Sequence, residues 1–285
     1  MTLSESAVAM RLADHANRWG VVIDETMETN TSAIAFGIRD RDAVVLKVVK
    51  SPGDEWNAGK VLQAFGGRGV VRAFECVPGA MLVERLRPGT ALVELSSDGR
   101  DDEATDILAG VMHAMSPNEI HTESPGVADW GRSFARYAAR YAPGSDPALP
   151  QHLVDRASET FDRLVQTQVK PRLLHGDLQH YNVLFDDQRG WVAVDPKGVI
   201  GEREYEIGAI LRNPVGDPHL FCSVATIERR IRQFEARLNV DPDRTLQWAF
   251  AQAVLSAIWS IEDGDPPQAY AMPIRLAEVL ALMIR

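Results

Sequence analysis

One β-hairpin pattern constrains this chain more than any other feature. Val183-Leu184-Phe185 and Trp191-Val192-Ala193-Val194 flank the polar turn Asp186-Asp187-Gln188-Arg189-Gly190, inside a stretch whose other periodicities are helical. Both of its ends are polar: His175-Gly176-Asp177-Leu178-Gln179-His180-Tyr181-Asn182 leads in, and Asp195 follows Val194 directly. A hairpin returns its second end to its first, so a carboxylate, a carboxamide and a second carboxylate are expected to converge there. Oxygen ligands of this kind suit Mg²⁺. Phosphoryl transfer asks little covalent chemistry of a protein; it needs an in-line hydroxyl and cations that neutralise the phosphates. On this reading Asn182 and Asp195 hold magnesium, and Asp177 is the catalytic residue that orients an acceptor hydroxyl and takes its proton. A carboxylate of ordinary pKa, about 3.9, is a weak base for an alcohol, so orientation is expected to be its larger contribution.

The rest of the chain divides by texture. Ala33 to Ile38 and Ala43 to Val49 read as a hairpin about Arg39-Asp40-Arg41-Asp42, and Gly69 to Cys76 and Ala80 to Leu86 as a second about Val77-Pro78-Gly79. Between them Asp54 to Phe65 places Trp56, Leu62 and Phe65 on one helix face. After Arg87-Pro88-Gly89 the pattern becomes helical. Asp102 to Met115 carries Ile107, Leu108, Val111 and Met112 on one stripe, and Ile227, Ile231, Phe234 and Leu238 recur at helical intervals. Asp241-Pro242 reads as an N-cap with proline in the first turn, opening a helix that continues through Leu246, Phe250, Val254 and Ile258. A last helix carries Leu276, Val279, Leu280 and Met283, and Pro143 to Pro150 is the clearest loop. The expected class is α+β. A small antiparallel-sheet lobe, 1–86, precedes a larger, mainly helical lobe, 87–285, with a hinge near Glu84 to Gly89.

Composition narrows the partners. With 285 residues the chain can bury a large core, and no run of about 18 apolar residues could cross a bilayer. The first residues, Met1 to Ser6, lack the basic and apolar segments of a secretory signal. Cys76 and Cys222 make no disulfide framework or cysteine-rich metal site, and the seven histidines have no metal-ligand spacing. A soluble, cytoplasmic, monomeric protein is expected. A net charge of −10 speaks against a nucleic-acid partner and suits a cationic small molecule.

Asp-x-x-x-x-Asn, a hairpin and then Asp resembles the catalytic segment of protein kinases, with His-Gly-Asp standing for His-Arg-Asp. His175-Gly176-Asp177 resembles the aminoglycoside phosphotransferases. More narrowly, the run from Gly190 to Glu202, with Asp241-Pro242-Asp243-Arg244 leading into Leu255-Ser256-Ala257-Ile258-Trp259, is similar to the streptomycin 6-phosphotransferase and hydroxyurea phosphotransferase group. The similarity runs roughly from Ala43 to Trp259. It implies a two-lobed protein-kinase-like fold that uses ATP with Mg²⁺. Lys47, in Val44-Val45-Leu46-Lys47-Val48, stands where such kinases carry their phosphate-binding lysine, with Lys50 as its competitor. Glu55, expected to open the following helix, is the partner for Lys47, and Asp54 the helix cap. The backbone of Glu84 to Leu86 falls where kinases hold adenine, and Glu28 to Ala33 replaces the glycine-rich phosphate loop.

Gly176 lacks the arginine that would answer an activation-loop phosphate, and no Ala-Pro-Glu follows Asp195, so constitutive activity is expected. For the acceptor, Glu206 is the expected substrate contact among the acids Glu202, Glu204, Glu206, Glu262, Asp263 and Asp265. The resemblance implies a streptomycin-type aminoglycoside as first acceptor, with hydroxyurea or another small hydroxyl compound as the alternative. A catalytically lapsed, kinase-fold binding module is the rival from another class.

Overall fold

In the computed structural model, which describes residues 5–115, 124–141 and 148–284, strand-rich sequence comes first and helix-rich sequence follows. The chain runs through α1 (Glu5–Arg18), β1 (Val22–Glu28), β2 (Ser32–Arg39), β3 (Asp42–Val49), α2 (Ala58–Phe65), β4 (Ala73–Val77), β5 (Ala80–Glu84) and β6 (Pro88–Ala91). Next come α3 (Val93–Ser97), α4 (Asp101–Ala114), α5 (Val127–Arg140), α6 (Gln151–Gln166), β7 (Arg172–Leu174), β8 (Val183–Asp186), β9 (Gly190–Ala193) and β10 (Val199–Gly201). It ends with α7 (Arg203–Leu211), α8 (Pro218–Phe221), α9 (Val224–Leu238), α10 (Pro242–Asp263) and α11 (Pro267–Met283). Of the expected loop Pro143 to Pro150, residues 143–147 lie outside the described residues. No described helix is long and apolar enough to cross a membrane. Two compact units result. The first holds described residues 5–92, 111–115 and 182–198; the second holds 93–110, 124–141, 148–181 and 199–284.

The first unit is built on a five-stranded antiparallel sheet in the order β1-β2-β3-β5-β4. Strand alternation gives each face its own neighbour. Val44, Leu46 and Val48 of β3 and Leu82 of β5 pack with Val8, Leu12 and Ala16 of α1. The intervening residues of β3, Val45 and Lys47, therefore look to the opposite face. There α2 lies against β4 and β5. Gly59 permits the approach, because a Cβ at that position would come within 2.4 Å of Cys76 Cβ.

Three features depart from expectation. α1 was not anticipated, since its core contacts are one valine, one leucine and one alanine four residues apart in a polar sequence. β1 was not anticipated either. It is an edge strand with six of its seven residues exposed, so nothing imposes apolar alternation, and its acidic side chains protect the edge. The helix expected from Asp54 begins only at Ala58, and Asp54 to Asn57 form a turn before it.

The anticipated hairpin is β8–β9, with Val183 opposite Ala193 and Asp186 opposite Gly190. Asp186 organises its turn, accepting from the amides of Gln188 and Arg189 at 3.0 Å each and from Arg87 at 2.9 Å. β6 pairs with β8 and brings the hairpin into the first unit.

The second unit is organised on α10, 22 residues long, which packs against α11, α7, α6 and α5. Its start is as expected: Asp241 accepts the Arg244 amide at 3.1 Å, and Pro242 occupies the first turn. Trp248 is fully buried, with Phe161 and Tyr205 edge-on to it at 5.2 and 5.0 Å. β7 and β10 form a short antiparallel pair, Leu174 opposite Val199, from which residues 175–177 emerge beside α7.

Candidate active site

The face of the first unit's sheet turned away from α1 opens on a cavity of about 370 Å³. Its walls are apolar, with Ile34, Phe36, Val45, Met81 and Leu184 among them, and Lys47 and Asp195 form a polar end. A flat apolar body with a charged extension would match such a shape.

Register explains how the lysine reaches that end. Lys47 lies mid-strand between Ile34 of β2 and Met81 of β5 and is 5% exposed. Its Nζ is 2.8 Å from Glu55 Oε2 and 2.8 Å from Asp195 Oδ1. Burial works against the ammonium, but the charges of Asp195 and Glu55 outweigh it and raise its pKa. Lys50, the competing lysine, is held elsewhere, 3.0 Å from Glu28 and donating to the Thr29 carbonyl at 2.7 Å. Glu55 meets Lys47 as expected, but from the turn ahead of α2 instead of from the helix.

Asp195 sits at φ +57°, a left-handed conformation that aspartate tolerates better than bulkier residues, immediately before Pro196. Its side chain is 39% exposed. The hairpin ladder sets Asn182 beside it: the Val194 amide donates to the Asn182 carbonyl at 2.9 Å. One ammonium faces two carboxylates here, leaving a net negative charge suited to a divalent cation. Among the described residues no three His, Cys, Asp or Glu side chains gather into a metal cage. That donor set fits Mg²⁺, which keeps several waters and takes one or two protein oxygens together with phosphate oxygens.

Glu84 and Leu86 both line the cavity. The Glu84 carboxylate is engaged, accepting the Arg72 amide at 2.8 Å and pairing with Arg189. Strand pairing occupies the Glu84 and Arg85 amides, which donate to Arg72 O at 3.0 Å and Ala43 O at 3.1 Å. Beyond them, the Leu86 amide is the first past the sheet.

In the second unit His175, Gly176 and Asp177 follow β7. Gly176 has φ +81°, a value that arginine would adopt only with strain, so backbone geometry itself favours glycine. His175 is fully buried, and its Nδ1 accepts the Asp177 amide at 3.3 Å. Glu206, expected to contact the acceptor, requires a correction. It is 2% exposed, and its carboxylate accepts the amides of His175 at 2.6 Å and Gly176 at 3.0 Å. Burial raises its pKa to about 7 even though amide hydrogen bonds from His175, Gly176 and Leu178 favour its charged form. The reason lies in α7, where every residue from Tyr205 to Leu211 is buried, so an acid among them points into protein.

The other candidate acids are largely engaged too. Glu202 is buried and bonded to Arg244 and Trp248, and Glu204 accepts the Asp241 amide at 3.2 Å. Glu262 pairs with Arg136 at 2.7 Å. Trp259 is half-buried, donating to Ser133 at 3.0 Å and edge-on to Trp130 at 5.7 Å. Sequence reading missed Gln252, whose amide donates to the Tyr205 carbonyl and accepts Arg212 at 3.0 Å, because its helix was read only for an apolar stripe, and it missed Arg212 because no helix was read over 203–211. A signal for Glu206 was present: one acid inside the apolar run Tyr205-Glu206-Ile207-Gly208-Ala209-Ile210-Leu211 marks a buried, bonded carboxylate.

Solved structures share this fold. An aminoglycoside phosphotransferase APH(4)-Ia mutant, solved in ternary complex with ADP and hygromycin B, matches with a TM-score of 0.66 at 16% identity, covering 95% of this chain and 97% of that one. The choline kinase LicA from Streptococcus pneumoniae matches with a TM-score of 0.63 at 13% identity, covering 98% and 100%. The architecture is thus the expected protein-kinase-like fold.

The family model described as aminoglycoside/hydroxyurea antibiotic resistance kinase matches residues 18–264, and the chain belongs to that family. Streptomycin 3''-kinase of Klebsiella pneumoniae is 34% identical over 257 residues, 87% of this chain and 91% of that protein. Hydroxyurea phosphotransferase of Kitasatospora aureofaciens is 27% identical over 282 residues, 95% of this chain and 78% of that protein.

Proposed function

We propose that the protein transfers the γ-phosphoryl group of ATP to a hydroxyl of a streptomycin-type aminoglycoside, with Mg²⁺, and so inactivates the antibiotic. The observation that carries the reading is Lys47 held at 2.8 Å by both Glu55 and Asp195 at the polar end of an apolar cavity. Such an ammonium pairs with the α- and β-phosphates, while Glu55 fixes its position. The nucleoside base enters among Ile34, Phe36 and Met81, with the backbone of Glu84 and Leu86 reading its edge. Magnesium, when bound through Asn182 and Asp195, supplies positive charge to the phosphate oxygens. Asp177, five residues before Asn182, orients the acceptor hydroxyl and receives its proton, and Glu206 positions Asp177 from behind. In this division residues 1–86 bind nucleotide, and 87–285 carry catalysis and the acceptor.

The choice of acceptor rests on the 34% identity to a streptomycin kinase. Hydroxyurea is the second reading, supported by a relative that matches 95% of the chain. ADP release from ATP and Mg²⁺ over streptomycin, other aminoglycosides and hydroxyurea, with Asp177→Ala and Asp195→Ala as controls, separates them. Streptomycin-dependent release abolished in both controls supports the first reading. Nucleotide binding without turnover on any acceptor would point to a binding module instead. Analysis of the phosphorylated position then names the hydroxyl.

A further inference from the structure

We infer that Arg11, on helix α1, is a positioning residue for the Lys47–Glu55 pair: its guanidinium clasps the turn that carries Glu55 to the end of the sheet. The inference rests on the nucleotide reading of Lys47 and adds to it a residue that acts only through Glu55.

Glu55 is held in a weakly supported place. It stands in the turn 54–57 ahead of α2, where no helical ladder fixes its backbone. Bonds within the segment close the turn, from Trp56 N–H to the Gly53 carbonyl at 3.0 Å and from Ala58 N–H to the Glu55 carbonyl at 3.1 Å. Asn57, the residue before α2, makes no side-chain cap bond. Yet Glu55 Oε2 meets Lys47 Nζ at 2.8 Å, a contact that a small shift of the turn would break.

The next residue supplies the anchor. The Gly79 amide donates to the Trp56 carbonyl at 2.7 Å, and the Val49 amide donates to the Gly79 carbonyl at 2.9 Å, so the turn is tied to the β4–β5 connection and the end of β3. Arg11 completes the joint. Its Nη1 donates to the Val49 carbonyl at 2.9 Å and its Nη2 to the Gly79 carbonyl at 3.1 Å, while the guanidinium carbon lies 5.3 Å from the centre of the Trp56 ring. A planar guanidinium performs both tasks together, bonding carbonyls through its fork and offering its face to an indole. Gly79 leaves room for them. Its φ is +77°, and a Cβ there would come 2.4 Å from Trp56 Cζ3 and 2.8 Å from Arg11 Nη2.

α1 gives the clasp a fixed base. Val8, Leu12 and Ala16 seat the helix on Val44, Leu46 and Val48, the face of β3 opposite to Lys47. Arg11 therefore links that packed face, around the end of the sheet, to the turn on the nucleotide side. Lys50, next to Val49 in the chain, does not take its place, being held by Glu28 and the Thr29 carbonyl.

The test compares Arg11→Met, Arg11→Lys, Lys47→Met, Glu55→Gln and the double variant Arg11→Met/Glu55→Gln with the native protein. Calorimetric titration gives Kd for ATP with Mg²⁺, and amide hydrogen exchange over 54–58 is followed without nucleotide. Arg11→Met is expected to speed that exchange and to weaken ATP binding about five- to tenfold, the size of a coupling within one contact network. Lysine keeps the charge without the planar fork and restores part of the affinity. Since Arg11 acts through Glu55, the double variant binds ATP as Glu55→Gln does. Fully additive losses, faster exchange with unchanged affinity, or exchange that stays native each overturn the inference. Ala16→Gly loosens α1 away from the joint and is expected to lower the melting temperature with affinity kept; a loss equal to that of Arg11→Met at the same melting temperature overturns it too. Should Arg11→Met fail to fold, Trp56→Leu removes the ring against the guanidinium, and a smaller effect of the same sign is expected; no effect overturns it. An ATP affinity indifferent to Lys47→Met would strike at the nucleotide reading instead, while exchange over 54–58 still decides the clasp.

Discussion

At the level of single residues, the site depends on how few groups answer one lysine. Lys47 satisfies two carboxylates from a nearly closed environment. Replacing it with methionine removes a fixed charge at the phosphates, and kcat/KM for ATP is expected to fall by about 10²–10³-fold with the melting temperature little changed. Glu55→Gln keeps the side chain's shape and should cost less. Gly176→Ala tests the backbone beneath Asp177. At φ +81° the added Cβ is expected to cost about 1–2 kcal/mol of stability and to lower kcat together with it.

Glu206 makes stability and activity run in opposite directions with pH. Its folded pKa, about 7, lies above the ordinary 4.5, so its contribution to stability is complete below 4.5 and is lost as pH rises towards and through 7. Activity needs the ionised form and should rise over the same interval. Parallel melting and kcat profiles between pH 5 and 8 check this, and Glu206→Gln should flatten the component in both. The approach of Glu55 to Lys47, and the placing of Asn182 beside Asp195 by the hairpin, were legible in the sequence because a motif fixes separations along the chain. The task of Glu206 was not. Whether an acid meets solvent or amides depends on which way its helix is buried.

At the level of elements, legibility followed amphipathicity. β3, the β8–β9 hairpin, α4, α9 and α10 were readable because each buries a patterned face. β1, exposed along an edge, and α1, with alanine among its few core contacts, carried too little apolar pattern to show. The start of α2 was misplaced because Trp56 mimics a helical apolar position within a turn. Close packing of α2 on the sheet gives a sharp test. Gly59→Ala would press a methyl to 2.4 Å from Cys76 Cβ, and an overpacking loss of about 1–3 kcal/mol is expected by chemical denaturation. Because α2 follows the turn carrying Glu55, KM for ATP should rise as well. At α10, Asp241→Ala removes the cap on the Arg244 amide and is expected to cost about 1 kcal/mol without affecting kcat.

For the whole molecule, the family is established and the fold is that of a small-molecule kinase, so the open matter is which acceptor the protein modifies. Composition and charge led to the expectation of a cationic small-molecule partner, yet acids that looked available for a cationic antibiotic are largely spent on internal amides and arginines. Acceptor identity was therefore legible only through resemblance. The most direct measurement is ³¹P NMR of the protein with ATP, Mg²⁺ and streptomycin. A new phosphate-monoester resonance on the antibiotic, growing as ADP accumulates and absent with Asp177→Ala, is predicted. ADP accompanied only by inorganic phosphate, or no consumption of ATP at all, would contradict the account.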